Sequence, residues 1–263
     1  MVLILLPPSE GKTPAPSGAP VDLDTLVAPQ LRAPRSEVLH QLRRVSAQPD
    51  ALSALGVGPS LAGDVARNIT LADEPAGPAA QVYTGVLYTA AHLNSLPAHA
   101  RVRAHDSVLT LSALWGLVRP DDRIPAYRLS MATKLGSLGA LAAYWRPHLT
   151  PILEERCAGD VMIDARSAAY ANAWKPPRSA STQWVTVKAF TEINGVRKAV
   201  SHNAKHARGV LTHHLLTRTE AAPTTADEVA QAASTCDHFL DVTLRQGPGV
   251  SWTLELLVPS PTQ

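Results

Sequence analysis

Three residues that could do chemistry follow the first apolar run of the chain. Ser9, Glu10 and Lys12 come directly after Met1-Val-Leu-Ile-Leu-Leu-Pro-Pro. The run is typical of a buried strand, and polar groups at the carboxyl end of a strand reach the sheet edge where ligands bind. In an enzyme, Glu10 would act as a general base and Lys12 would stabilise negative charge.

The same segment resembles the end of a phosphate-binding P-loop. Gly11-Lys12-Thr13 fits the motif, but Leu6 stands where its first glycine belongs. Two prolines also remove backbone N–H donors from the loop. The sequence therefore predicts a polar loop at a strand end rather than a true P-loop.

Planar cations and a phenol are concentrated in the stretch 109–129. A buried strand is predicted at its start, and Gly116 then leads into a segment with Arg119, Tyr127 and Arg128. Guanidinium groups presented from a rigid strand end suit phosphate or carboxylate recognition. In an enzyme, Tyr127 would be an acid or a stacking group. The alternative is a turn whose arginines pair with the neighbouring aspartates.

Two further segments carry candidate anion-binding residues. Lys205 and Arg208 lie three positions apart near the start of a predicted helix, where two cations favour an anion. Tyr83 and Thr84 belong to Gln81-Val-Tyr-Thr-Gly-Val-Leu-Tyr, in which a tyrosine could stack on a base or pack with a satisfied hydroxyl.

Residues 50–68 resemble a helix-hairpin-helix insertion. Gly56 and Gly58 separate two short predicted helices. In such a module, glycines let backbone N–H groups approach a DNA phosphate without reading base edges. A plain turn between two helices is the alternative.

Composition limits the class of protein. The 263 residues are 45% hydrophobic, with two cysteines and a formal net charge of +2. The opening apolar run is too short for a membrane span and has no basic start, so we expect a cytoplasmic protein without membrane contact. Residues 101–210 carry 16 Lys and Arg against 8 Asp and Glu. This surplus favours an anionic partner, unless acidic ends cover it.

The coarse pattern predicts a mixed α/β (α+β) fold. We expect one domain over 1–258 with a mixed sheet and a basic cleft, followed by a frayed tail at 259–263. A hairpin with its turn at Asn194-Gly195 and a second, terminal hairpin are predicted from alternating residues. No local set of metal ligands is complete, so neither a metal nor another cofactor is predicted.

Four segments together resemble one family, the YaaA peroxide-stress proteins. They are the opening strand with Pro7-Pro8-Ser9, Val82-Tyr-Thr-Gly, the stretch from Leu111 to Leu129, and Ala204 to Gly209. They occur in the order and spacing of the family across nearly the whole chain. His206 stands where the family usually has a lysine, which is expected to weaken non-specific DNA binding.

The resemblance implies a single mixed α/β domain with a positively charged cleft. It also implies binding of double-stranded or branched DNA, iron homeostasis and a role in limiting iron-driven damage under peroxide stress. Phosphate contacts are then expected from Arg119, Arg128, Lys205 and Arg208, with Gly56 to Gly58 as an auxiliary clamp. The alternative is an enzyme that acts on a small anionic, nucleotide-like substrate through Glu10, Lys12 and the arginines.

Overall fold

A mostly parallel sheet forms the centre of the protein. The computed structural model describes residues 2–193, 196–199 and 201–259. All residues of the first strand, Val2–Leu6, are buried, as its unbroken apolar sequence predicts. In chain order the strands are β1 Val2–Leu6, β2 Gly77–Pro78, β3 Val108–Ser112, β4 Gly116–Val118, β5 Arg123–Ile124, β6 Val161–Asp164, β7 Gln183–Ile193, β8 Val196–Ala199, β9 Asp241–Gln246 and β10 Ser251–Leu257.

The order of strands in the large sheet is β4-β3-β1-β6-β7-β10-β9, with β8 paired to β7. The five strands from β3 to β10 in this order are parallel. Ile4 pairs with Val108 on one side of β1, and Val2 pairs with Val161 on the other. The chain thus runs from β1 to β3 on one side of the β1–β6 pair, and from β6 to β7 on the opposite side. In open sheets a crevice forms where successive connections run in opposite directions.

Helices cover the sheet and connect its strands. Two of them, α5 and α9, pack closely against each other. The helices are α1 Arg32–Ser46, α2 Ala51–Leu55, α3 Ala62–Arg67, α4 Ala79–Val82, α5 Val86–Ala91, α6 Ala98–Ser107, α7 Leu141–Cys157, α8 Ala168–Ala171, α9 Ser201–Thr217 and α10 Ala226–Ser234. None of the helices in the described part of the chain has the length and apolar character needed to cross a bilayer.

The structure confirms the predicted mixed α/β fold. The strands β7 and β8 pair antiparallel, as do β9 and β10, so both predicted hairpins are present. The turn residues Asn194 and Gly195 lie outside the described residues. Of the tail predicted over 259–263, residues 260–263 also lie outside them.

Candidate functional site

A polar cavity of about 340 Å³ lies at the carboxyl ends of β1 and β6. The loop that follows β1 forms one wall, and residues after β6 form another. This position is the crevice that the strand order predicts. The polar side chains that line it are Ser9, Glu10, Lys12, Thr84, Tyr88, Arg128, Ser130, Ser167, Tyr170 and Lys205.

The wall after β1 is fixed by backbone contacts with the segment before α5. Lys12 forms a β-bridge with Tyr83, and the N–H of Thr13 donates to the Val82 carbonyl at 2.9 Å. The hydroxyl of Tyr88 donates to the Pro7 carbonyl at 2.9 Å. Because these bonds hold the loop at several points, its backbone has a fixed position.

Lys12 is half-buried at the base of the cavity. Its ammonium nitrogen, Nζ, donates to the Ser9 carbonyl at 2.7 Å. Nζ also lies over two aromatic rings, 4.3 Å from the centroid of Tyr127 and 5.7 Å from that of Tyr83. Burial, together with the charge of Arg128, lowers the pKa of Lys12 to about 7. Lys12 therefore exchanges between ammonium and amine near neutral pH.

Tyr83 and Tyr127 form a buried floor under Lys12. Their hydroxyls lie 3.1 Å apart, and the Tyr127 hydroxyl also bonds that of Ser112 at 2.7 Å. Their relative exposures are 2% and 3%. Burial raises the pKa of both phenols. Rings this covered cannot stack on a nucleobase, so Tyr83 and Tyr127 support Lys12 rather than contact a ligand face to face.

Arg128 forms the opposite side of the cavity from a segment without regular structure. Its Nη1 donates to the Glu10 carbonyl at 3.1 Å, and Nη2 lies 3.8 Å from a Glu10 carboxylate oxygen. The Glu10 side chain is 82% exposed, whereas that of Arg128 is 18% exposed. Arg128 thus has a defined position, while the Glu10 carboxylate is at the open rim.

A buried amide holds the backbone of Arg128. The Asn68 side chain accepts from the Arg128 N–H and donates to the Arg128 carbonyl, each at 2.9 Å. Asn68 also donates to the hydroxyl of Ser46 at 3.2 Å. Sequence reasoning missed Asn68, because no local pattern links it to a partner 60 residues away.

Lys205 reaches the cavity from the first turns of α9. This helix approaches α5 so closely that a Cβ on Gly209 would lie 2.3 Å from the Leu87 carbonyl oxygen. A glycine is therefore required there for the two helices to meet. Arg208, one turn from Lys205, instead donates through Nη2 to the Val187 carbonyl at 2.9 Å. It anchors α9 to β7 and does not line the cavity.

Three other predicted residues also lie away from the cavity. The backbone N–H of Arg119 donates to the Asp122 carboxylate at 2.9 Å, which closes a turn before β5. Gly56 ends α2 in the left-handed conformation, and its N–H donates to the Ser53 carbonyl. Gly58 is exposed on the connection from α2 to α3. The structure therefore does not bring Arg119, Gly56 and Gly58 to Lys12 and Arg128.

Sequence reasoning did not select several hydroxyls that line the cavity. Ser130 follows Arg128 by two positions, while Ser167 and Tyr170 follow β6. The apolar run Val161-Met-Ile does predict a buried strand with Ser167 and Tyr170 as polar groups beyond its end, but it does not single them out as site residues. Together they surround the cations with groups that both donate and accept hydrogen bonds.

A buried ion pair at the end of β6 positions this wall. Arg166 binds both carboxylate oxygens of Asp164, at 2.8 and 2.7 Å, and the indole N–H of Trp184 donates to Asp164 at 3.1 Å. Burial opposes ionisation of Asp164, but the charge and hydrogen bonds of Arg166 lower its pKa below the usual value. Asp164 therefore stays a carboxylate.

Metal ligands do not cluster in the described part of the chain, where no group of three or more His, Cys, Asp or Glu side chains is arranged around a common point. The cavity instead combines the side chains of Arg128 and Lys205, the titratable amine of Lys12, several hydroxyls and, at its rim, the Glu10 carboxylate. Such a set can bind an oxyanion through charge-assisted hydrogen bonds.

Comparison with known proteins finds relatives over the whole length of the chain. A family described as "Peroxide stress protein YaaA" matches residues 2–235. A UPF0246 protein from Streptomyces coelicolor is 41% identical over 259 residues, which covers 98% of each chain. A UPF0246 protein from Corynebacterium efficiens is 38% identical over 262 residues, covering 98% of this chain and all of that one.

Proposed function

Because the chain belongs to the peroxide stress protein YaaA family, we propose that it acts in the peroxide stress response by binding DNA phosphates in the cavity between β1 and β6. Binding there would help to limit iron-driven damage to the DNA. The convergence of Lys12, Arg128 and Lys205 on one cavity carries this proposal. A cytoplasmic location is part of it, and the unpaired thiols of Cys157 and Cys236 are consistent with a reducing compartment.

The size of the cavity favours one nucleotide unit as the bound element. At about 340 Å³ it is at the small end of ligand pockets, well below what a duplex groove would occupy. Strand ends, branch points and flipped nucleotides present such units. We therefore expect branched and single-stranded DNA to bind more tightly than a closed circular duplex, which has no strand ends.

Fluorescence anisotropy with duplex, branched and single-stranded DNA at two salt concentrations tests this proposal. Micromolar or tighter binding that weakens steeply with salt is expected. Arg128→Ala should weaken binding to all sequences equally and reduce the salt slope by about 1. Arg44→Ala, which removes an exposed arginine on α1, is the matched control. Equal binding by the Arg128→Ala variant and the parent chain would overturn the assignment.

A second candidate is an enzyme acting on a small anionic substrate in the same cavity. Two observations favour it, namely the pKa of about 7 at Lys12 and the exposed Glu10 carboxylate beside Arg128. A carboxylate repels phosphate but can serve as a general base. A Glu10→Gln variant that binds DNA as before but loses a turnover shown by the parent would establish this function. Retention of that turnover would exclude Glu10 as its base.

A further inference from the structure

The surroundings of the Lys12 ammonium differ from those of a lysine that binds phosphate by charge alone. Nζ is held by the carbonyls of Ser9 and Glu10, at 2.7 and 3.4 Å. Both of these acceptors are neutral carbonyl groups. The ring centroid of Tyr127 lies 4.3 Å from Nζ, and Lys12 is one of the residues that line the cavity. Nζ is thus held by named contacts at a residue that borders the cavity.

Charged and titratable groups of several elements act on this nitrogen. Glu10 and Asp64 favour its protonation, whereas burial and Arg128 oppose it. The phenols of the floor carry no charge near neutral pH, because burial raises their pKa values. With a pKa of about 7, roughly half of Lys12 is the amine at pH 7, against about 1 in 2,500 for an ordinary lysine. An amine, unlike an ammonium, is a nucleophile.

We propose that Lys12 forms an imine with an aldehyde or ketone that carries a phosphate group, which Arg128 and Lys205 hold in the same cavity. This inference rests on the anion-binding role proposed above. Its geometric basis is that Lys12, Arg128 and Lys205 line one cavity of about 340 Å³, a space that fits one small ligand. A free phosphorylated sugar and an abasic deoxyribose in DNA share this chemistry.

The step is balanced without an oxidant or reductant. The lone pair of the Lys12 nitrogen attacks the carbonyl carbon, and the carbonyl oxygen is protonated to give a carbinolamine. The oxygen then leaves as water with the two hydrogens of the amine, as the C=N bond forms. Hydroxyls of Ser130, Ser167 and Tyr170 lie around the same cavity and can donate to the oxygen or to the phosphate.

Reductive trapping on the full chain tests the proposal. The probe is pyridoxal 5′-phosphate, a phosphorylated aldehyde, followed by borohydride and peptide mass spectrometry. Pyridoxal, which lacks the phosphate, is the matched reagent. We expect Lys12 to be labelled at least about 100-fold faster than the exposed Lys188 on β7, because its amine fraction at pH 7 exceeds that of an ordinary lysine by about 1,000-fold. Labelling by pyridoxal should be at least about tenfold slower, because it lacks the charge-assisted bonds.

Variants and a second substrate separate the possible outcomes. Arg128→Ala should slow labelling by pyridoxal 5′-phosphate more than labelling by pyridoxal. Loss of the Arg128 charge raises the pKa of Lys12, which slows labelling by both reagents, whereas only the phosphorylated reagent also loses a binding partner. An oligonucleotide with one abasic site, trapped in the same way, shows whether a DNA aldehyde is accepted. Labelling of Lys12 that is faster than labelling of Lys188, by either phosphorylated aldehyde, supports the proposal. Labelling of Lys12 no faster than that of Lys188 by both overturns it.

The two proposals fail independently. If the anisotropy experiment shows no DNA binding but pyridoxal 5′-phosphate labels Lys12, the DNA function fails and the imine chemistry stands. If DNA binds through Arg128 but Lys12 is no more reactive than Lys188, the imine chemistry alone fails. Because the label is located on the unaltered chain, neither result depends on whether a Lys12 variant folds.

Discussion

Asn68 bonds both the N–H and the carbonyl of Arg128, at 2.9 Å each, from a fully buried position. The Asn68 side-chain amide thus provides hydrogen-bond partners for both backbone groups of Arg128, whose side chain lines the cavity. The position of Arg128 depends on this contact, since its segment belongs to no helix or strand.

Asn68→Ala should destabilise the fold by about 1–3 kcal/mol, because it leaves buried polar groups of Arg128 without partners. The same change should weaken anion binding by releasing Arg128. Urea denaturation measures the first effect and anisotropy the second. Asn94→Ala, at an exposed position, is the control. If the Asn68→Ala variant binds the anion as tightly as the parent chain, the hydrogen bonds from Asn68 to Arg128 are not needed for binding.

Gly209→Ala should lower stability by about 1–3 kcal/mol, because the added methyl group forces α5 and α9 apart. Lys205 would move with α9, so the affinity for phosphate should also fall. The matched control is Gly63→Ala on α3, where a Cβ meets nothing within 4 Å. That change should be neutral or stabilising by about 0.5–1 kcal/mol. Thermal unfolding of both variants decides the point, and equal melting temperatures would refute it.

Lys12→Met should stabilise the protein at pH 7, with an advantage that shrinks as the pH rises toward 10. The folded state holds the pKa of Lys12 at about 7, below the value of about 10.4 in an unfolded chain. Between these values the unfolded state binds one more proton, so the stability of the parent rises with pH. Melting curves of both chains at pH 7 and pH 10 measure the difference. A gap that stays constant over this range would contradict the lowered pKa.

Asp164→Asn should cost about 3–5 kcal/mol, because it leaves the charge of the buried Arg166 uncompensated. The double change Asp164→Leu with Arg166→Met removes both charges and should recover most of the loss. Chemical denaturation of the single and double variants tests this coupling. If the double variant is destabilised at least as much as the Asp164→Asn variant, the uncompensated charge of Arg166 is not the cause of the loss.

The sequence predicts β1 and β3 from their apolar runs, and it predicts the two antiparallel hairpins from their alternating residues. The short strands β2, β4 and β5 carry no such pattern and are not predicted. The sequence also identifies Ser9, Glu10, Lys12, Arg128 and Lys205, which the structure brings to one cavity. Their types suit anion chemistry, and their positions follow strands or precede a helix. Whether they bind DNA remains a prediction.

Contacts between distant segments account for what sequence reasoning missed. Helical spacing places Arg208 near Lys205 along the chain, but packing against β7 directs its guanidinium to the Val187 carbonyl. A glycine between two short helices, such as Gly56, has the same sequence pattern whether it belongs to a phosphate-binding loop or simply ends a helix. The role of Asn68 depends on a backbone that only tertiary structure brings near.

The arrangement of strands also determines when the cavity can form during synthesis. β1 leaves the ribosome before its two neighbours, and its apolar side chains have no sheet partner until β3 and then β6 have been made. Lys205 is translated later still. Contacts this distant in sequence slow folding and leave apolar surface exposed in the meantime. Every nascent chain that ends before α9 therefore lacks a complete site, and its β1 has no sheet partner until β3 has been made.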